Sequence, residues 1–251
     1  MKKAVGFVLS ALSAFLLFGC SGSNDGTLIV GTEATFPPFE MTNDKGEIIG
    51  FDIDLLSAIA KEEGIVVRFK DTGFDSLIPA LQSGSIDIAA SGMSITEERK
   101  KQILYSDPYI EAGLVIAVDS KNTMVKSIDD LRGETVAVQQ GSTGASEAER
   151  MRLAGEIKQV KNYPNVSVAM MELLNGGAAA VINDKPVTEA YMAKRPGAIR
   201  VLDEKLRSDS YGFAIDKSRP ELVEQINRGL KAVVENGTYE ELVKKYFGEQ
   251  D

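Results

Sequence analysis

Apolar positions along the chain follow two periods in alternation. Short apolar runs bounded by turn residues, Leu28–Gly31, Ile65–Phe69 and Ile86–Ala90, predict strands. Between the first two, Phe51–Glu63 sets Ile53, Leu55, Leu56 and Ile59 on one helical face, and Gly64 follows as a stop. A short helix runs to Leu81, with Asp75 as its cap and Pro79 in its first turn. Tyr105–Val118 opens on a Pro-marked turn and continues as a long apolar strand with Gly113 inside it. A helical turn at Ser127–Leu131, a strand at Thr135–Val138 and a helix from the Gln139–Ser146 stretch to Leu153 come next. Then follow a strand at Ile157–Tyr163, a helix at Asn165–Gly177 with Val168, Met171 and Leu174 on one face, and a strand at Ala178–Ile182. Helix Val187–Lys194, strand Ile199–Leu202, strand Ser210–Ile215 and helices Glu221–Glu235 and Tyr239–Phe247 end the pattern.

Strands that alternate with helices predict an α/β fold with mainly parallel sheets. Two of the strands, Tyr105–Val118 and Ser210–Ile215, can pass between separate units, the first broken at Gly113. That layout predicts two lobes, residues 27–112 with 209–251 and residues 113–208, and a ligand cleft between them. A leader precedes them. Lys2 and Lys3 are followed by an apolar run, Ala4 to Phe18, short of the roughly 20 residues of a membrane span. It ends in "LLFGC", Leu16 to Cys20, which is similar to the bacterial lipoprotein signal; residues 1–19 are expected to be removed and Cys20 lipidated. Residues 20–26 would then be a flexible tether.

Composition narrows the chemistry. The chain has 251 residues, no His, one Cys and no Trp. Ser-His-Asp and Cys-His catalysis, zinc sites built on His or Cys and an internal disulfide are excluded. Neither a metal nor a cofactor is expected. A net charge of −9 argues against nucleic acid as a partner, and means that an anionic ligand group needs a local site.

One such site is Ile86 to Lys101, "IDIAASGMSITEERKK". The strand ends in Ser91 and Gly92, then Ser94; Thr96 is a good helix N-cap, and Glu97 and Glu98 suit the helix dipole. Arg99, a cation in a first turn, does not suit it, by roughly 0.3–1 kcal/mol. The corner reads either as a carboxylate receptor or as a solvated basic patch with Lys100 and Lys101. Asp184 lies just past a strand end, where such folds gather ligand groups; taken alone it reads first as a helix N-cap ahead of Pro186, and it could do both jobs.

The chain resembles the polar-amino-acid branch of the extracytoplasmic solute-binding proteins of ABC importers. The resemblance rests on "VGTEATFPPFE" (Val30–Glu40), "GFDIDLLSAIAKE" (Gly50–Glu62), Phe74–Tyr109, "VAVQQGSTG" (Val136–Gly144), "MELLNGGAAAVINDKPV" (Met171–Val187) and "ENGTYEELVKKYFG" (Glu235–Gly248). It implies a two-lobed, type II periplasmic-binding-protein-like fold with two crossing strands as hinge. It implies capture of a free L-amino acid by cleft closure, delivery to the membrane subunits of an ABC permease, an anchor on Cys20 and a monomer. Arg99 would clamp the α-carboxylate, helped by Thr143 and the Ser94 amide. Asp184, the Gly92 carbonyl and the Ser94 hydroxyl would hold the α-ammonium, with Ser91 beside them. Glu33, Phe36, Phe74, Gln139 and Gln140 would line the side-chain pocket, with Phe39 left to the core. Glu33 stands where this branch meets a ligand's distal end, so a cationic side chain (arginine, lysine or ornithine) is expected, with glutamine or another polar amino acid as the alternative. A few dehydratases resemble this fold; Glu33 or Glu40 would be the acid in such an enzyme. Nothing in the chain supplies an activated nucleophile or a metal-ligand spacing, so no catalysis is expected.

Overall fold

The computed structural model describes residues 26–204 and 206–248. The leader, Cys20 and nearly all of the tether lie outside the described residues. Strand β1 is Thr27–Thr32, and β2 (Thr35–Phe36), β3 (Glu40–Thr42) and β4 (Ile48–Ile49) form a small antiparallel sheet of their own. Helix α1 (Phe51–Glu62), β5 (Val66–Asp71), a 3-10 turn at Phe74–Ser76, α2 (Leu77–Gln82), β6 (Ile88–Ala89), α3 (Glu97–Lys100) and β7 (Ile103–Tyr105) follow. Next come β8 (Ile110–Asp119), β9 (Thr135–Gln139), α4 (Thr143–Leu153), β10 (Gln159–Tyr163), α5 (Val166–Leu174), β11 (Ala180–Asp184) and α6 (Lys185–Lys194). The chain ends with β12 (Ile199–Val201), β13 (Arg207–Tyr211), β14 (Ala214–Asp216), α7 (Pro220–Glu235) and α8 (Thr238–Phe247).

Two larger sheets share one topology. The first runs β5-β1-β6-β14-β7 and the second β10-β9-β11-β8-β12, with β13 also paired to β8. In each, the first three strands are parallel and one antiparallel strand arrives from the other half of the chain: β14 in the first sheet, β8 in the second. The sheets are therefore mixed rather than mainly parallel. Period-two alternation assigns each strand's residues to opposite faces. In the first sheet Val30, Ile88 and Ile215 pack with α1 and α7, while Ala89 and Ala214 pack with Leu77 and Leu81 of α2. In the second, Val136, Val138, Ile116 and Ile182 meet Ala148 and Met151 of α4, while Ala117, Ala137 and Val181 meet Ala169, Met170 and Leu173 of α5.

Several expectations change in detail. Gly113 is not a break: β8 runs through it, with Gly113 opposite Ser208. The chain leaves the first sheet after β7 and joins the second at Ile110, so the Pro-marked stretch 106–109 makes the crossing. The other crossing is two strands rather than one, β13 paired to β8 and β14 to β6 and β7, with Gly212 and Phe213 between them. Asp75 sits inside the 3-10 turn instead of capping a helix, because the turn begins one residue earlier than the polar pattern suggests. In α5 the buried face is Val166, Ala169, Met170 and Leu173, and Met171 is exposed; the whole "VSVAMMELL" run is apolar enough for either face to satisfy the helical period. No helix among the described residues is long and apolar enough to cross a membrane.

Candidate ligand-binding site

The C-terminal ends of β1, β6, β9 and β11 converge between the two sheets. They carry Glu33, then Ser91, Gly92 and Ser94, then Gln139, then Asp184. All of these are buried, as are Phe36, Arg99 and Thr143; Phe74 is half-buried and Gln140 is exposed. Bonds cross directly from one half of the chain to the other. Arg99 Nη2 donates to the Gly141 carbonyl at 3.0 Å, and Gln139 Nε2 to Glu33 Oε2 at 3.3 Å. Gln140 Nε2 donates to Asp75 Oδ2 at 2.8 Å, and the Tyr191 hydroxyl lies 3.5 Å from the Thr35 carbonyl. Gln140 is thus a surface bridge rather than part of the buried lining.

Thr96 caps α3 as its type predicts, its Oγ1 accepting the Arg99 N–H at 3.1 Å. The local cost of a cation in this turn is offset by acceptors. Arg99 Nη1 donates to the Ser94 carbonyl at 2.9 Å, Nη2 to Gly141, and the guanidinium lies 5.3 Å from the centre of the Phe74 ring. Phe74 therefore supports the arginine. The two carbonyls take two of the guanidinium's five donors, and the others can meet an anion in a planar fork. Ser94 pairs with Tyr211 through bonds made by its neighbours, Ile95 N–H to Ser210 and Gly212 N–H to Met93, so that ladder does not use its own N–H. Thr143 is the first residue of α4, after Ser142, which accepts the Ala145 N–H at 3.0 Å. Gly144 lets this helix end seat against β11: a Cβ there would meet the Ile182 carbonyl at 2.5 Å.

Asp184 occupies the N-cap position of α6, but its side chain makes no capping bond. Its Oδ1 is buried without a hydrogen-bond donor among the described residues. Burial pushes its carboxyl up to about 7, against the Tyr211 hydroxyl and the Arg99 charge, which favour the ionised form. An incoming ammonium would complete it. At the far end, Glu33 Oε1 accepts the Thr35 hydroxyl at 2.6 Å, and Glu33 lies 5% exposed. Burial is the main reason its carboxyl titrates above the ordinary range; nearby Asp71 adds to this, while Thr35 and Gln139 act against it. Phe36 is buried with its ring against Gly92: a Cβ on that glycine, whose φ is +48°, would lie 2.7 Å from the ring.

Behind these residues lies a set of groups that the sequence did not mark as part of the binding site. Glu40 and Asp52 are fully buried. Glu40 Oε1 accepts the Ser91 hydroxyl at 3.0 Å, and Ser91 Oγ accepts the Glu33 N–H at 3.0 Å. Asp52 Oδ2 accepts the Gly92 N–H and the Tyr109 hydroxyl, both at 2.8 Å. A readable signal existed for one of them: Asp52 falls on the same helical stripe as Leu55, Leu56 and Ile59, where the pattern asks for a hydrophobe. A groove of roughly 1200 Å³ between α6, the start of β8 and α8 is lined by none of the predicted site residues. No group of acidic or Cys side chains among the described residues could hold a metal ion.

The chain is similar to known proteins along nearly its whole length. The model of the bacterial extracellular solute-binding proteins, family 3, matches residues 28–249. An arginine-binding periplasmic protein of Mannheimia haemolytica is 38% identical over 240 residues, covering 93% of this chain and 96% of its own. Among solved structures, an ancestral arginine-binding protein bound to arginine is 46% identical with a TM-score of 0.84, over 89% of this chain and 99% of that one. An ancestral arginine-binding protein bound to glutamine is also 46% identical, with a TM-score of 0.83 and the same coverage.

Proposed function

Because the chain belongs to the bacterial extracellular solute-binding proteins of family 3, with their periplasmic-binding-protein-like fold, we propose that it captures a free amino acid with a cationic side chain. The candidates are arginine, lysine and ornithine. Relatives of this kind are binding proteins of transport systems, and the proposed mechanism forms and breaks no covalent bond. Arg99 takes the α-carboxylate, with Thr143 and the Ser94 N–H as further donors. Asp184, the Gly92 carbonyl and the Ser94 hydroxyl take the α-ammonium. Phe36 flanks the side chain and Glu33 meets its distal cation, while Phe74 holds Arg99 in place. The ligand closes the cleft because its two ends touch groups from both halves of the chain, and it can shift the closed state only by that differential contact. An ABC permease reads the closed form. Cys20, at the end of "LLFGC", anchors the monomer to the membrane after removal of residues 1–19.

The observation that carries the reading is the buried Glu33 carboxylate, held by Thr35 and Gln139 with no basic side chain bonded to it among the described residues. Charge balance gives the direction. Arg99 contributes one positive charge to the lining, and Glu33 and Asp184 contribute one negative charge each once pairing with the ligand's cations holds them ionised. A ligand of net charge +1 neutralises that set and a neutral one does not, and uncompensated buried charge is costly. Glutamine is the second reading, supported by the Gln139 amide beside Glu33 and by the similar ancestral protein bound to glutamine. Calorimetric titration of the purified protein with the twenty amino acids plus ornithine and citrulline tests both. Arginine, lysine or ornithine is expected to bind at least tenfold more tightly than glutamine and citrulline, as about 1.4 kcal/mol of charge pairing requires. A preference for a neutral or acidic amino acid would overturn the basic-ligand reading.

A further inference from the structure

We propose that Glu40 and Asp52, neither of which touches the ligand in this scheme, are positioning residues of the site: Glu40 holds the main chain of Glu33 through Ser91, and Asp52 holds Gly92 in its left-handed turn. The proposal rests on the assignment of Glu33 and Gly92 given above. The relay is continuous. The Glu33 N–H donates to Ser91 Oγ, and the Ser91 hydroxyl donates onward to Glu40 Oε1, each at 3.0 Å. A hydroxyl can serve as acceptor and donor at once, so Glu40 fixes the orientation in which Ser91 receives Glu33. The Gly92 N–H is aimed at Asp52 Oδ2, and the same oxygen takes the Tyr109 hydroxyl. Fixing that N–H fixes the Ser91–Gly92 peptide plane, from which the chain turns at Gly92, with φ of +48°, toward the carbonyl assigned to the ligand's ammonium.

Two buried acids are an expensive way to make two such bonds unless they are partly neutral. One oxygen of each, Glu40 Oε2 and Asp52 Oδ1, is buried without a hydrogen-bond partner among the described residues. No basic side chain among the described residues bonds to either. The titratable groups that face the pair from neighbouring elements are Tyr109 at the entry to β8, Tyr211 of β13, Glu33 after β1 and Asp184 of β11; Arg99 acts on Asp184 from α3. All of the carboxyls in this set disfavour a second charge. Burial, then mutual repulsion, raises Glu40 well above the ordinary range, and burial raises Asp52 to about 7 against the pull of Gly92 and Tyr109. Burial and mutual repulsion thus disfavour two full charges on the pair, while both acceptor oxygens stay in use.

The test compares isosteric and truncating variants. Glu40→Gln keeps a carbonyl oxygen for Ser91 and is expected to bind L-arginine within about threefold of the wild type, whereas Glu40→Ala leaves the Ser91 hydroxyl unpaired and is expected to bind at least about tenfold more weakly. Asp52→Asn and Asp52→Leu are expected to show the same split. Should a truncation fail to fold, the isosteres still decide. The wild type, free of ligand, is expected to melt at a lower temperature at about pH 8 than at about pH 5.5, and Glu40→Gln is expected to remove part of that difference. Folded Glu40→Ala with wild-type affinity, isosteres as weak as the truncations, or an isostere with the full wild-type pH dependence of melting would each overturn the proposal. If the wild type itself ignored L-arginine, the functional reading would fail, while the melting comparison would still report on the pair.

Discussion

Replacing Glu33 with glutamine removes one charge and almost no volume. The new side chain can still accept the Thr35 hydroxyl, and Gln139 can turn its amide to suit it, so the pocket keeps its shape. Only the pairing with a ligand cation is lost. Removing one partner of a buried, hydrogen-bonded charge pair costs about 2–5 kcal/mol. Taking about 3 kcal/mol, arginine and lysine should bind roughly 150-fold more weakly. A glutamine ligand has a neutral amide, which the substituted side chain can meet as well as Glu33 does, so its affinity should change by no more than about threefold. Calorimetry with arginine, lysine and glutamine on both proteins reads the difference directly. The pH dependence adds a second check. Glu33 must be ionised to pair, and burial already raises its carboxyl, so wild-type affinity for arginine should fall on acidification through that raised range; Glu33→Gln should show a flatter profile. Equal losses for arginine and glutamine would refute the reasoning, because they would make Glu33 a shaper of the pocket and not the partner of a cation.

Arg99→Ala should weaken every amino acid by about a hundredfold or more, whatever its side chain, and tight binding of any of them would remove the carboxylate clamp. Gln140→Ala cuts an exposed bridge to Asp75, so affinity should fall only about two- to fivefold, chiefly through faster dissociation in stopped-flow measurements; an unchanged dissociation rate would separate that bridge from closure. The ligand-free protein should lose stability as pH rises. Asp52 and Asp184 are raised to about 7 and Glu40 is raised too, so above the ordinary carboxylate range the folded chain binds more protons than the unfolded one, and stability declines from about pH 4.5 through about pH 7. The surface carboxylates that titrate low, such as Glu97 and Glu172, act in a more acidic window and do not mask this. A melting temperature that climbs steadily from about pH 5 to pH 8 would contradict the burial argument.

Much of the fold was legible because its elements are locally determined. Thr96, Ser142 and Asn165 are N-caps in the structure because hydroxyl and amide side chains there accept main-chain N–H groups that nothing local could satisfy. The crossings were harder to read. Whether Ser210–Ile215 is one strand or two depends on which partner each half finds, β8 or β6 with β7, and those partners lie about a hundred residues away in sequence. Gly113 suggested a break because glycine weakens an isolated strand; tertiary pairing on both sides of β8 overrides that preference. The face of α5 was misread for a similar reason, since an all-apolar run leaves the choice of face to the sheet beneath it.

The site shows the same division between local and distant causes. Arg99 stood out because it contradicts its own helix turn, and the structure shows what tolerates it: carbonyls of Ser94 and Gly141 and the ring of Phe74. Asp52 contradicts its stripe in the same way, and the N–H of Gly92 and hydroxyl of Tyr109 compensate it. Glu40 gave no comparable sign, because a carboxylate after a Pro-Pro turn is ordinary at a surface and becomes unusual only once Ser91, 51 residues downstream, is placed on it. Arg99 and Asp52 are thus locally unfavourable residues held by partners from other elements. Two of the partners that hold Arg99 and Glu33, Gly141 and Gln139, belong to the opposite half of the chain. The contacts between the two halves are thus made by residues adjoining the proposed ligand groups. On the proposed reading, a ligand that neutralises Arg99, Asp184 and Glu33 together would act on closure directly, with no separate relay between binding and the change of shape.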